Sequence, residues 1–266
     1  MFGHYLKITW RSVLGQKLYA LINIGGLAIG ITCFILIGMY VHYELSFDGD
    51  IPNEEHIYRV IQRQKGNEYL GTDYFAVMPA PAAKTIADQY PEVEAAVALQ
   101  PQSAIMGIAT RNLSTENGFW AEKGFFEIFE PLFLHGNPDL VFDKPNGLVI
   151  TRALSHKLFG TANSLGKLVK LNDADFEITG IVEDPPQNSS LQYNFIQSIS
   201  NQPNYKEQSW FNNSPYVFLK LAEDANPKAF EAKLSSLLGE HQNSEDYPFE
   251  GKLHLEALSK IYFNTK

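Results

Sequence analysis

The sequence predicts an α+β protein: one N-terminal transmembrane helix, then an exported two-part domain. In that domain a split strand–helix–strand layer is interrupted by a mostly β insertion. Three observations carry this prediction. Residues 18–41 contain no Asp, Glu, Lys or Arg. The order strand, helix, strand can be read twice, at 58–99 and again at 216–258. Between these, from about 103 to 212, strand patterns dominate and helical ones are few.

As a helix, residues 18–41 would be about 36 Å long against a hydrocarbon core of about 30 Å, so the run spans a bilayer with some tilt. It exceeds the roughly 7–15 apolar residues of a cleaved signal peptide. It also leads into the bulky Tyr40, His42 and Tyr43 where such a peptide needs small residues. Lys7, Arg11 and Lys17 precede the run with no acid, whereas Glu44, Asp48, Asp50, Glu54 and Glu55 follow it before the first base, Arg59. The positive-inside rule then places 1–17 in the cytoplasm, the span at 18–43 and residues 44–266 outside, in the periplasm. Leu6, Trp10, Val13 and Leu14 fall at helical spacing with Lys7 and Arg11 on another face. That pattern predicts an amphipathic helix on the inner membrane surface, with Trp10, Lys7 and Arg11 as interfacial anchors. Gly26 and Gly30, with Gly25 beside them, form a Gly-x-x-x-Gly pair at which another membrane helix can approach closely.

In the exported part, 58–64 alternates and reads as a strand. Residues 79–90 carry the stripe Ala82, Ala83, Ile86, Ala87 and Tyr90 and read as a helix ended by Pro91, followed by a strand at 93–99. Near the C-terminus a strand at 216–221 leads to Asn226-Pro227, an N-cap and first helical residue. A helix with Phe230, Leu234, Leu237 and Leu238 on its buried face follows, then a strand at 252–258. The membrane-proximal parts are thus about 55–102 and 213–260. In the insertion, 123–129 reads as a short helix and 148–151 as a strand. Thr151 caps a helix that Gly160 ends. Residues 167–171 and 176–182 flank a hairpin turn, and Asp184-Pro185-Pro186 must break the second of these strands.

Composition narrows the function. The 266 residues include 18 Phe and 13 Tyr, ample for a core, so a disordered chain is excluded. The single Cys33 excludes an intramolecular disulfide and a cysteine-based zinc site. The net charge of −9 argues against nucleic acid as a partner. That charge is an average of +3 over the first 43 residues and −12 over the remaining 223. The chain contains no phosphate loop, no G-x-G-x-x-G, no G-x-S-x-G and no H-E-x-x-H. No catalytic residue, cofactor or metal is therefore predicted. Glu183-Asp184 reads as a strand-end turn with solvated acids. Phe125, Phe126 and Phe129, with Trp120 and Trp210, read mainly as core. Phe125, Phe126, Phe129 and Trp210 are also the candidate periplasmic contact surface.

Several stretches together resemble a known family. The opening HYLKITWRSVLGQKLYALINIGGLAIGI, then YELSFD with HIYRV, MPAPAAKTIADQYPEV, FFEIFEPLFLHGNPDLVFDKPNGLVITRALSHKLFG and LGKLVKLNDADFEITGIVEDPPQNSSLQYNF occur in one order along nearly the whole chain. In these the chain is similar to the N-terminal portion of MacB/FtsX-type ABC transporter permeases, notably the Bacteroidetes-like kind. The resemblance implies a first span followed by a periplasmic core domain with an outward-projecting subdomain. It also implies a permease subunit that couples ATP hydrolysis by a separate cytoplasmic ATPase to movement of that domain. A lipophilic or peptide substrate would be exported or extracted in this way. The implied partners are the ATPase subunit, membrane lipid, further permease helices or a second permease copy, and periplasmic or outer-membrane components. After Val41 no long charge-free apolar run recurs, so the expectation is an N-terminal fragment of a permease. A stand-alone membrane-anchored binding or sensor module is the alternative.

Overall fold

The computed structural model describes residues 15–63, 73–108, 111–172, 174–202, 209–242 and 251–264, together with His4, Trp10, Arg11 and Tyr205. The chain divides into two units, Met1–Phe47 and Asp48–Lys266.

The first unit contains α1 (Lys17–Leu45), 29 residues with none buried. Ile22, Leu27, Phe34 and Leu36 all face outward. A helix that is apolar all round and buries nothing in its own protein is suited to lipid, and its length and composition fit a membrane span. The Thr32 hydroxyl donates back to the Ala28 carbonyl at 2.8 Å, so this polar group is satisfied inside the helix. At Gly25, Gly26 and Gly30 an added Cβ would meet nothing within 4 Å. Trp10 and Arg11 are helical and exposed. Leu6, Lys7, Val13 and Leu14 lie outside the described residues.

The second unit begins with β1 (Ile57–Arg63), β2 (Tyr74–Phe75), β3 (Val77–Pro79), α2 (Ala82–Gln89) and β4 (Val93–Ile108). Then follow β5 (Arg111–Ala121), α3 (Gly124–Phe129), β6 (Phe133–Gly136), β7 (Gly147–Thr151) and α4 (Arg152–Phe159). Next come β8 (Leu168–Leu171), β9 (Ala174–Val182), β10 (Phe195–Ser198) and β11 (Asn213–Leu221). The unit closes with α5 (Pro227–Leu234), α6 (Leu237–Gln242), β12 (Lys252–Ala257) and α7 (Leu258–Asn264).

β12, β1, β11 and β4 lie side by side in that order, every neighbour antiparallel. β1 and β4 therefore run the same way with β11 between them, and β11 and β12 the same way with β1 between them. Each pair is a split β–α–β unit, and the two interleave. The period-2 rule sorts the strand residues. On one face Val60, Val217, Leu219 and Leu253 meet Ala83 and Ile86 of α2 and Phe230, Leu234 and Leu238 of α5 and α6. On the other face Val97, Leu99 and Phe218 meet Phe125, Ile128 and Phe129 of α3 and Ile261 of α7.

β4 has 16 residues and leaves this sheet to enter a second structure. Beyond Leu99 it pairs with β5, β5 pairs with β10, β10 with β7, β7 with β9, β9 with β8, and β8 again with β4. Six strands thus close into a barrel, which removes open edges. Ala104, Met106, Leu148, Ile150, Val169 and Ile178 fill it, and Leu154 and Leu158 of α4 pack into the same core.

The expected strand at 93–99 is the first half of β4. Pro101 lies in the stretch after β11 ends its pairing at Leu99 and before β8 begins at Met106. The N–H that proline lacks has no strand waiting for it there, so the strand continues. The helix expected from 79 starts at Ala82, because Val77–Pro79 pairs with β11. The helix expected after Pro227 is two helices, α5 and α6, separated by Ser235 and Ser236.

Candidate functional site

Carboxylates that are buried must be hydrogen-bonded, and those in this unit show where its parts are tied together. Asp48 is the first. It sits at φ 61°, a left-handed conformation that Asp tolerates better than most side chains. It is 2% exposed. Its N–H donates to the Asn188 carbonyl at 2.8 Å. Its carboxylate accepts from the Ser190 N–H at 2.7 Å, the Ser190 hydroxyl at 2.5 Å and the Ser189 hydroxyl at 3.2 Å. The segment at 48 is thereby fastened to the loop at 188–190, about 140 residues along the chain.

Beside this tie is a cleft of about 270 Å³. Phe125 and Phe129 of α3, Pro185, Pro186 and Leu191 form apolar walls. Tyr193 packs edge-on to Phe125 at a centroid distance of 5.7 Å and also lines the cleft. The acidic lining residues are Asp50, Glu130, Glu183 and Asp184, and no Lys or Arg lines it. Glu183 and Asp184 are not the freely solvated acids expected. Arg152 pairs with Glu183 at 2.5 Å and lies 3.8 Å from Asp184, and Asp184 accepts from the Ala153 N–H at 2.9 Å. The pair therefore holds the start of α4, where an acid suits the helix dipole. Lys220 pairs with Glu130 at 3.1 Å.

Two further buried carboxylates fix the scaffold. Glu116 on β5 is 3% exposed and lies opposite Ala104, a barrel-core residue. It accepts from Lys157 Nζ at 2.5 Å, Asn194 Nδ2 at 2.6 Å and the Ser114 hydroxyl. Burial pushes its pKa up, but the bonds from Lys157, Ser114 and Asn194 outweigh it and hold the carboxyl below its ordinary value. Glu256 on β12 faces Arg59 on β1 and accepts from its Nε at 2.9 Å and Nη2 at 2.6 Å. Asn264 Nδ2 supplies a third bond to Glu256 at 2.7 Å.

The four aromatics of the expected contact surface separate. Phe125 and Phe129 line the cleft while also belonging to the core. Phe126 turns toward Phe133 and Phe142. Trp210 is elsewhere, stacked on His241 at 3.8 Å and 6° and packed against the core that includes α5. Trp120, the other tryptophan considered, donates to Gln197 Oε1 at 2.9 Å. The sequence marks Asp48 only as one of the acids that orient the span and does not single out Tyr193. The one local signal for Asp48 was an acid placed just after a charge-free span. Tyr193 had none, since its cleft is assembled from distant segments. Among the described residues no group of three or more His, Cys, Asp or Glu could hold a metal ion.

Comparison with known proteins is consistent with this architecture. Residues 20–237 match the family described as the MacB-like periplasmic core domain. No curated protein matches the chain. Among solved structures, a domain assigned to a permease protein of Porphyromonas gingivalis is 23% identical with a TM-score of 0.68, over 78% of this chain and 92% of that one. The periplasmic region of MacB from Actinobacillus actinomycetemcomitans is 17% identical with a TM-score of 0.58, over 80% and 96%. The extracellular domain of the noncanonic ABC-type transporter YknZ from Gram-positive bacteria is 13% identical with a TM-score of 0.55, over 75% and 99%. At these identities the likeness is one of fold.

Proposed function

Because the chain belongs to the family of the MacB-like periplasmic core domain, we propose that it acts as a permease subunit whose periplasmic domain is moved by a separate cytoplasmic ATPase. It is the periplasmic domain of a MacB-like ABC transporter permease with an N-terminal apolar helix. In that family the ATPase activity lies in a separate subunit or domain. ATP hydrolysis then drives export or extraction of a lipophilic or peptide substrate by mechanical transmission.

The observation that supports this reading is the seat of Asp48. It lies three residues past the end of α1 and is buried and hydrogen-bonded to the 188–190 loop. A displacement of the chain there passes into the barrel side of the domain instead of dissipating in a slack linker. Within the domain, the shared strand β4 carries it between sheet and barrel. In this reading residues 1–17 are cytoplasmic and 44–266 periplasmic. Gly26 and Gly30 then receive other permease helices or a second permease copy in the lipid, and periplasmic or outer-membrane components meet the exported face.

Two experiments test it. The full-length permease, purified in detergent from its native membrane, co-isolates an ATPase that carries a phosphate loop. A preparation that reproducibly carries none overturns the reading. A phosphatase reporter fused after Lys266 is active, as it is only in the periplasm. A silent phosphatase with an active cytoplasmic reporter at the same site overturns the orientation.

A further inference from the structure

The cleft beside Asp48 is lined by a tyrosine whose hydroxyl bonds to no other described residue. Tyr193 is 8% exposed and lines the cleft. No hydrogen bond joins its hydroxyl to another described residue, and the oxygen is not one of the sealed unpartnered atoms, so it is open to solvent. A hydroxyl on so buried a side chain, bonded to no other described residue, takes its partner from whatever enters the cleft, water or ligand. Burial above all, and then the charge of Asp184, raise the phenol's pKa, so it stays protonated across the physiological range.

The charges around it have one sign. Asp50 is exposed and has no ion pair among the described residues. Glu183 and Asp184 share a single cation, Arg152, and Glu130 is balanced by Lys220. About two negative charges are left uncompensated beside walls made of Phe125, Phe129 and Leu191. At about 270 Å³ the cleft is at the small end of ligand pockets, which run from about 300 Å³ upward.

We propose that this cleft binds a small amphiphilic primary ammonium. Its apolar body lies against Phe125, Phe129 and Leu191, and its N–H groups donate to the Tyr193 oxygen and to the carboxylates at the mouth. A cation is favoured by those carboxylates and by the aromatic faces, and an anion is repelled. A charge without an apolar body forfeits the walls. The inference rests on the folded second unit and not on the transport reading. Loss of ATPase co-isolation leaves it standing, and absence of amine binding leaves that reading standing.

The test is calorimetric titration of the full chain in phosphatidylcholine nanodiscs, with empty discs subtracted. The probes are phenethylammonium, phenylacetate and tetramethylammonium. Phenethylammonium binds one to one, more tightly than either control and less tightly as salt rises. Tyr193→Phe keeps the ring and removes only the unpartnered hydroxyl; Asp50→Asn removes an exposed charge. Each weakens binding about threefold to tenfold and leaves the thermal midpoint unchanged. No binding of phenethylammonium, equal binding of phenylacetate, or undiminished binding in both variants overturns the proposal.

Discussion

Replacing Glu256 by alanine would leave the Arg59 guanidinium buried without its counter-charge, because Arg59 and Glu256 side chains are only 10% and 6% exposed. Such a loss costs about 3–5 kcal/mol, whereas exchanging both partners for apolar residues of similar size is often neutral. Thermal unfolding should therefore show a large drop for Glu256→Ala and recovery of most of it in Arg59→Met/Glu256→Leu. Asp48 poses a different problem, since it supplies both a left-handed backbone and a carboxylate. Asp48→Gly keeps the first and Asp48→Ala neither, so both lose about 1–3 kcal/mol of charged hydrogen bonding and Ala loses more. If Ala proved the milder, the left-handed backbone would carry no strain. Caps could be read at this scale from sequence: Thr151 accepts from the Leu154 N–H at 3.3 Å and Asn226 from the Lys228 N–H at 3.0 Å, each within three residues. Arg59 and Glu256 are 197 residues apart, and nothing local marks either as the other's partner.

Elements were legible where their reasons are local. The hairpin of β8 and β9 follows from alternation on each side of a short turn, and Asn172 in that turn takes φ 53°. The ring closure was not legible, because β5 and β10 pair in parallel across a long crossover and the strand expected at 93–99 runs on to Ile108. Two consequences belong to the barrel. Gly118 lies opposite Phe195 in that parallel pair, and a Cβ there would press into the Phe195 carbonyl and ring. Gly118→Ala should destabilise by about 1–3 kcal/mol through overpacking, seen as a lower melting temperature. Glu116 gives the barrel an acid limb. Its folded pKa is below the ordinary value of 4.5, so the stability it adds is full above that value and is lost as pH falls through the lowered one. Glu116→Gln should flatten this part of the stability-versus-pH curve, and an unchanged limb would assign acid sensitivity to other carboxylates.

For the whole molecule, the sequence separated an uncharged helix from an acidic exported part by charge alone, and α1 and the second unit are distinct in the structure. Its two strand–helix–strand readings became the interleaved sheet. That one strand would serve both sheet and barrel could not be read from periodicity, which reports faces and not neighbours. Because β4 serves both, the sheet and barrel should melt in a single transition, and two separate transitions would show that β4 does not couple them.

The same path has a consequence for deletion. The chain leaves the sheet after Leu99 and returns at Tyr216, its direct pairing partner, and Ser214 approaches Gln100 at 3.5 Å. A short turn could therefore join Gln100 to Ser214 and excise everything between with little change to the remaining strands. Yet the excised stretch includes Phe119, Phe125 and Phe129, which cover Val97, Leu99 and Phe218 on one side of the sheet. The rejoined protein would keep β12, β1, β11 and the first half of β4 side by side, with one apolar face stripped of that cover and open to water, and it should aggregate. The insertion is removable by topology and indispensable by chemistry.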